Sequence, residues 1–246
     1  MTDDFSVYLP QAESPSPWQL DILGAGSARI KPGESYPPSS PPTDHLFDWS
    51  RGRVLDEFQA IFVSRGGGTI ESDAAAPVSL RAPFLFLIFP GVRHRYRPEA
   101  ETGWHERWIG FRGPFADRLL DQGVLDPRSP VYRTGHSEQL LSQIQLIHDE
   151  VRSEALGFRA ITASALMQIL ALATSLPLRS EEETQPMREV IRRACFLMRE
   201  RSDETVQPEA LARELGVGYT YFRRLFRKYT GISPKRYHDQ LRLQRA

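Results

Sequence analysis

The stretch from Pro208 to Arg227 constrains the chain more than any other, because its small and apolar residues are spaced for two short helices meeting at a tight turn. Leu211, Ala212 and Leu215 fall on one helical face, with Ala212 small where a second helix must approach closely. Gly216 follows where the turn requires a positive φ. Val217 plugs the turn, and Phe222, Leu225 and Phe226 give the second helix a buried stripe. Tyr219, Thr220, Arg223, Arg224 and Arg227 are left on or beside its outer face, with four basic residues in the six positions from Arg223 to Lys228. Such a helix can enter a major groove and set guanidinium groups against guanine edges and phosphates. The spacing therefore predicts a helix-turn-helix, and with it a DNA partner.

Charge is distributed accordingly. The 246 residues balance 31 Lys and Arg against 31 Asp and Glu, yet from Met187 onward there are 14 basic and 7 acidic residues. The first 186 residues hold the other 17 basic and 24 acidic ones, so an acidic part precedes a basic, nucleic-acid-binding part. Cys195 is the one cysteine; it excludes an internal disulfide, suits a reducing cytoplasm and reads as a small buried helix residue. No apolar run approaches the roughly 20 residues of a membrane-spanning helix. Met1-Thr2-Asp3-Asp4 lacks the basic-then-apolar start of a secretory signal. The expected location is cytoplasmic, with no membrane partner.

Before the basic part the pattern changes twice. Up to about residue 135, short apolar runs alternate with turn signals: Ala60–Val63, Phe84–Phe89 and Trp104–Phe111 read as buried strands. Arg65-Gly66-Gly67-Gly68 and Phe89-Pro90-Gly91 punctuate them, and Pro37 to Pro42 reads as loop. Many short strands with frequent turns predict a sandwich or barrel. From 137 the period becomes helical. Leu140, Ile144, Ile147 and Val151 form one stripe, and after a stop at Gly157 a second runs through Ile161, Ala165, Ile169, Leu172 and Leu176. This helical hairpin is the expected homodimer contact, through the Leu140–Val151 helix. Glu181 to Pro186 reads as a solvated linker. The expected fold class is α+β: a β-barrel over 1–136, a dimerisation hairpin over 137–178, a linker over 179–186 and an all-α helix-turn-helix part over 187–246.

Ala210-Leu211-Ala212-Arg213-Glu214-Leu215-Gly216-Val217, Tyr221-Phe222-Arg223-Arg224-Leu225-Phe226-Arg227-Lys228 and Thr230-Gly231-Ile232-Ser233-Pro234, with Leu241-Arg242-Leu243, resemble the first half of an AraC-type DNA-binding domain. Gly231 ends the recognition helix, and Ser233-Pro234 caps and starts the next. Gly218 stands where the family commonly has a serine cap, a change worth a few tenths of a kcal/mol. The family pairs two such motifs through a long helix; this sequence stops at Ala246, so the resemblance implies a truncated domain without the second reader. It also assigns Thr220, Arg223 and Arg224 to base edges and Tyr219, Arg227 and Lys228 to phosphates.

Phe89-Pro90-Gly91-Val92-Arg93-His94-Arg95-Tyr96 and Gly103-Trp104-His105-Glu106-Arg107-Trp108-Ile109-Gly110-Phe111 resemble the cupin-like ligand-binding half of sugar-responsive AraC-type regulators. That resemblance implies ligand contacts at Arg65, Tyr96, Glu106 and Trp108. Strand alternation is compatible: it puts Trp104, Glu106 and Trp108 on one face, and His94 and Tyr96 on another. An indole stacks on the C–H face of a pyranose, while Arg and a carboxylate donate to and accept from its hydroxyls. A small-molecule effector, a carbohydrate, is therefore expected. The other reading of the same residues is two core tryptophans and a structural Arg65–Glu106 ion pair.

A cupin enzyme is the rival class. It needs two or three histidines and a carboxylate converging on a metal. Asp44 to Asp48 offers only His45 where a His-x-His would belong; His94, His105 and His136 are scattered, and His105 falls on the face opposite Glu106. No Ser-His-Asp or P-loop pattern is present. The sequence thus predicts no catalytic residue, no metal and no cofactor. A ligand-binding and dimerisation module that does not bind DNA by itself is the remaining alternative.

Overall fold

A computed structural model of the chain describes residues 4–10, 16–36, 49–182 and 186–243, and side chains outside 176–188. The Pro37–Pro42 loop, Asp44–Asp48 with His45, the stripe position Leu176 and linker residues Glu183–Gln185 lie outside the described residues. Two compact units divide the chain: Met1–Gly135 with Gln143–Leu178, and His136–Ser142 with Arg179–Ala246.

Among the described residues the first unit has eight antiparallel strands: β1 (Phe5–Tyr8), β2 (Asp21–Ile30), β3 (Phe58–Ser72), β4 (Ala75–Arg81), β5 (Phe84–Ile88), β6 (His94–Pro98), β7 (Trp104–Arg112) and β8 (Val131–Tyr132). Their order is β1-β2-β7-β3-β5-β8, with β4 and β6 both flanking β3. The near half of β3 pairs with β5 and β7, and the far half with β4 and β6. Fifteen residues at about 3.3 Å each would run some 50 Å if straight, too long for one layer of a small barrel.

The Arg65–Gly68 stretch, read from sequence as a break between strands, is instead the corner where β3 passes from one set of partners to the other. The register slips between Val63 and Arg65, and Gly66 takes a φ of 83°. A Cβ on Gly66 would lie 2.0 Å from the Gly103 carbonyl oxygen, and one on Gly68 would lie 2.6 Å from the Trp104 ring. Glycine there gives the bend its conformation and lets β7 and the Trp104 indole close over it.

The core on the inner face gathers Ile30, Ile61, Ile70, Phe84, Phe86, Tyr96 and Trp104. The expected strands at 60–63, 84–89 and 104–111 are all present and buried. Strands β1 and β2 and helix α1 (Pro114–Asp121) were not foreseen.

Helices α2 (Glu138–Ser153) and α3 (Phe158–Glu182) follow, separated by Gly157 at a φ of 87°. All four stripe residues of α2, Leu140, Ile144, Ile147 and Val151, are at most 1 % exposed in the single chain. The stripe is thus buried within the single chain, as a helix face that covers strands would be. His148 of α2 meets the Phe5 ring edge-on at 4.9 Å. On α3 the buried face runs through Thr162, Ala165, Leu166, Ile169 and Ala173, so Ile161, 39 % exposed, falls outside it. By length and composition Phe158–Ser175 could cross a membrane, contrary to the sequence expectation, but this face is packed inside the unit. Helix α3 also continues to Glu182, into the stretch read as linker.

The second unit holds α4 (Pro186–Glu200), α5 (Pro208–Glu214), α6 (Tyr219–Thr230) and α7 (Pro234–Leu243). Phe196, Met198, Leu211, Ala212, Phe222 and Phe226 fill its centre. Arg201 clamps Glu214 with two bonds of 2.6 Å, and Tyr237 donates to Glu138 at 3.0 Å.

Gly66→Ala and Gly33→Ala separate the two demands on the β3 corner. Gly33 shares a positive φ but has no atom within 4 Å of its would-be Cβ. Its replacement should cost about 1 kcal/mol, and that of Gly66 several times more. Urea midpoints at unchanged slope measure both; equal losses would remove the close approach of Gly103 from the explanation.

Candidate functional site

Strand β7 carries the polar part of the inner face. It lies between β2 and β3, with Glu106 opposite Ala28 and Val63, and Trp108 opposite Gly26 and Ile61. Alternation puts Trp104, Glu106 and Trp108 on one face, as expected. His105 points the other way, where its Nε2 lies 3.1 Å from the Ser27 hydroxyl. Trp104 is buried in the core, whereas Trp108 is half-buried with the Tyr8 ring 5.4 Å away. A Cβ on Gly26 would lie 2.5 Å from the Trp108 indole nitrogen, so glycine there makes room for the ring.

Glu106 is 7 % exposed, and the Tyr36 hydroxyl lies 3.3 and 3.2 Å from its two oxygens. Burial raises its pKa to about 7, against the opposing pull of the Tyr36 hydrogen bond and the Arg53 charge. Tyr36 also joins the aromatic group, its ring 6.0 Å from Tyr96 and 5.7 Å from Trp104. Arg53 donates to the Tyr96 hydroxyl at 2.9 Å and to Nε2 of His94 at 3.2 Å. Two backbone bonds of 2.9 Å between Arg53 and His94 hold it there. With Nδ1 on the Val92 carbonyl, His94 is neutral, and burial pushes its pKa down to about 4.

Of the four residues expected to touch ligand, Tyr96, Glu106 and Trp108 share this inner face, Tyr96 and Glu106 being joined through Tyr36. Arg65, half-buried on β3, stands opposite His105 in the ladder, and the polar contacts of Glu106 come from Tyr36. The expected alternative of an Arg65–Glu106 ion pair is therefore not what holds the carboxyl. Sequence reasoning missed Tyr36 and Arg53. Arg53 is isolated in sequence, and only the bridge to His94 brings it in. Among the described residues no three His, Cys, Asp or Glu side chains gather as a metal set.

In the second unit, Gly216 takes a φ of 69° between α5 and α6, and Gly231 ends α6 at 80°. Gly218 caps α6 through its carbonyl, which accepts from the Phe222 amide at 2.9 Å. Phe222 and Phe226 are buried and Leu225 half-buried, while Thr220, Arg223, Arg224, Arg227 and Lys228 are exposed and Tyr219 half-exposed. At 100° per residue these five exposed side chains cover less than half of the helix circumference. The Arg224 guanidinium rests 5.4 Å from the Tyr221 ring centre and makes no ion pair among the described residues. One face of α6 thus offers four cations and no acid.

Residues 33–170 match the family model of the AraC-like ligand binding domain, and residues 209–237 match that of bacterial regulatory helix-turn-helix proteins of the AraC family. Over 232 residues the chain is 24 % identical to the Msm operon regulatory protein of Streptococcus mutans, covering 93 % of this chain and 78 % of that protein. It is 23 % identical over 188 residues to the lactose operon transcription activator of Staphylococcus xylosus, covering 75 % of this chain and 66 % of that one. A crystal structure of unsaturated fatty acid-bound ToxT from Vibrio cholerae superposes with a TM-score of 0.37 at 10 % identity, over 92 % of this chain and 97 % of that one.

Glu106 has a signature in stability. Its folded pKa, near 7, exceeds the ordinary value of 4.5, so the folded chain keeps a proton that the unfolded chain loses between these limits. The group therefore lowers stability as pH rises from 4.5 to 7, by up to about 3 kcal/mol. His94 acts in the opposite sense between about 4 and 6.5, so the comparison must be with Glu106→Gln. That variant should gain on the parent protein in urea unfolding as pH rises across this window. A difference that stays flat would place the Glu106 carboxyl in water.

Proposed function

Because the chain belongs to the AraC family of bacterial regulators, with ligand-binding and helix-turn-helix parts both present, we propose that its effector is a carbohydrate bound on the inner face of the β-unit at Trp108, Glu106 and Tyr96. The observation that carries this reading is the pairing of a half-buried indole with a buried carboxyl two residues away on the same strand face. An indole face takes the apolar side of a sugar ring, and a buried carboxyl takes its hydroxyls. A relative named for a lactose operon supports the same class. Arg65 contributes from β3 at the corner.

Effector binding changes the equilibrium between states that present α6 differently to DNA, which is a coupling free energy between the two sites. On α6, Thr220, Arg223 and Arg224 read base edges, and Tyr219, Arg227 and Lys228 hold the phosphates. The regulator works in the cytoplasm as a homodimer, since C2 pairing matches two half-sites. With the α2 stripe buried, its partner face lies on the outward side of the helices, where Leu146 is 36 % and Ile161 39 % exposed. Sedimentation at tens of micromolar should return twice the chain mass.

A thermal-shift screen over pentoses, hexoses and disaccharides tests the effector class; a ligand at 100 times its Kd stabilises by about 2.7 kcal/mol. Trp108→Ala should abolish the shift with the fold intact by circular dichroism. No shift with any sugar would overturn the carbohydrate reading.

For DNA, Arg224→Ala should cost roughly 1–3 kcal/mol on the preferred sequence and relax base preference. Lys228→Ala should weaken all sequences alike and reduce the salt slope by about one. Equal losses from both on every sequence would take Arg224 out of base reading.

A further inference from the structure

Glu106 is more than nine-tenths buried, yet the hydrogen bonds it accepts come from a single hydroxyl, that of Tyr36, shared between its two oxygens at 3.2 and 3.3 Å. A carboxylate has about four acceptor positions. Among the described residues no lysine or arginine forms an ion pair with it. Arg53, the cation on this face, directs its N–H groups to Tyr96, His94 and Gln59. The surroundings are otherwise aromatic, from Tyr36, Tyr96 and Trp104 behind the carboxyl to Trp108 beside it.

A neutral sugar would leave this carboxyl with a desolvation cost that hydroxyls only partly offset. A cation offsets it better, because opposite charges attract more strongly away from water and aromatic faces attract cations. We propose that the effector carries a protonated amine that pairs with Glu106, which makes it an amino sugar whose ring rests on Trp108. This rests on the carbohydrate reading above and narrows it. The reach is right: two residues along a strand span about 7 Å, close to the distance from a pyranose ring centre through an exocyclic amine to its partner.

The charged groups facing Glu106 are compatible with the pairing. Arg53 opposes an incoming cation, but Asp4, whose carboxylate accepts from the Arg29 amide at 2.9 Å, adds a second negative charge, and Tyr36 and Tyr96 stay neutral. Burial, with a smaller push from the Asp4 charge, holds the Glu106 pKa near 7; an ammonium partner would ionise it fully, so binding should release a proton. The affinity of an amine should therefore rise from pH 6 to pH 7.5, while that of a neutral sugar stays flat.

The test uses the full chain and thermal shift with glucosamine, galactosamine and the fully deacetylated chitin disaccharide, against glucose, galactose and N-acetylglucosamine. At least one amine is expected to bind ten-fold or more tightly than its neutral counterpart. Glu106→Gln should erase that preference, so that the amine and its neutral counterpart bind equally whatever the loss common to both. If neutral sugars bind as well as their amines, the amine inference is overturned and the carbohydrate reading stands. If neither set binds, both are overturned. An amine preference that survives in Glu106→Gln overturns the pairing with Glu106 and places the cation elsewhere.

Discussion

The passage of β3 from one set of partners to another is the constraint on which the rest of the β-unit depends. One strand lies beside β5 and β7 over Phe58–Val63 and beside β4 and β6 over Gly67–Ser72, so whatever fixes its bend also fixes where β6 and β7 meet. The bend is fixed by exclusion: backbone of Gly103 fills the space beside Gly66, and the Trp104 ring fills the space beside Gly68. Trp104 is therefore both the floor of the aromatic group and the wedge that holds the corner. Because Tyr96 on β6 and Glu106 on β7 approach one another only if these two strands share an inner face, the polar site inherits its geometry from three consecutive glycines.

Small residues do similar work on the other side of β7. Gly24 and Gly26 of β2 lie beneath the Trp108 indole, and any side chain at Gly26 would collide with it. The ring is thus supported from below by backbone and left half-open, flanked by Tyr8. A core tryptophan would be closed over by apolar side chains on all sides, as Trp104 is. The two tryptophans are four positions apart on one strand with the same face, and their neighbours alone decide that one is buried and the other half-open.

This difference explains which parts could be read in advance. The helix-turn-helix was legible nearly residue by residue, because its determinants are local: Ala212, Gly216, Phe222 and Gly231 act within a turn or two of their own position. The strands at 60–63, 84–89 and 104–111 were legible from apolar runs. Strand β2 was not, because its Leu-Gly-Ala-Gly-Ser sequence reads as a loop until the Trp108 ring lies across it. Arg65–Gly68 read as a turn for the same reason, glycine being selected there by contacts more than thirty residues away. Within the site, the shared face of Glu106 and Trp108 was visible through β7 alternation, while their choice as candidate contacts came from the family resemblance. Tyr36 and Arg53 reach the site from segments outside the strands, and no local pattern marks them. The α2 stripe was found correctly, but periodicity says only that a face is buried, never whether its own chain or a second copy buries it.

The polar site is also where the β-unit gives up stability. Glu106 keeps a proton at a pH where a carboxyl in water would have lost it, and His94 stays neutral where it would otherwise gain one. Each arrangement raises the free energy of the folded unit relative to a plain apolar core. In the reading proposed above, a ligand that completed these bonds would recover part of that cost, and the same groups that weaken the free protein would set how strongly it shifts the conformational equilibrium. The shift can be no larger than the difference in affinity between the two states. Buried, incompletely satisfied polar groups give such a difference its steepest dependence on geometry, because a displacement of a few tenths of an ångström at the Glu106 carboxyl breaks bonds that water cannot replace.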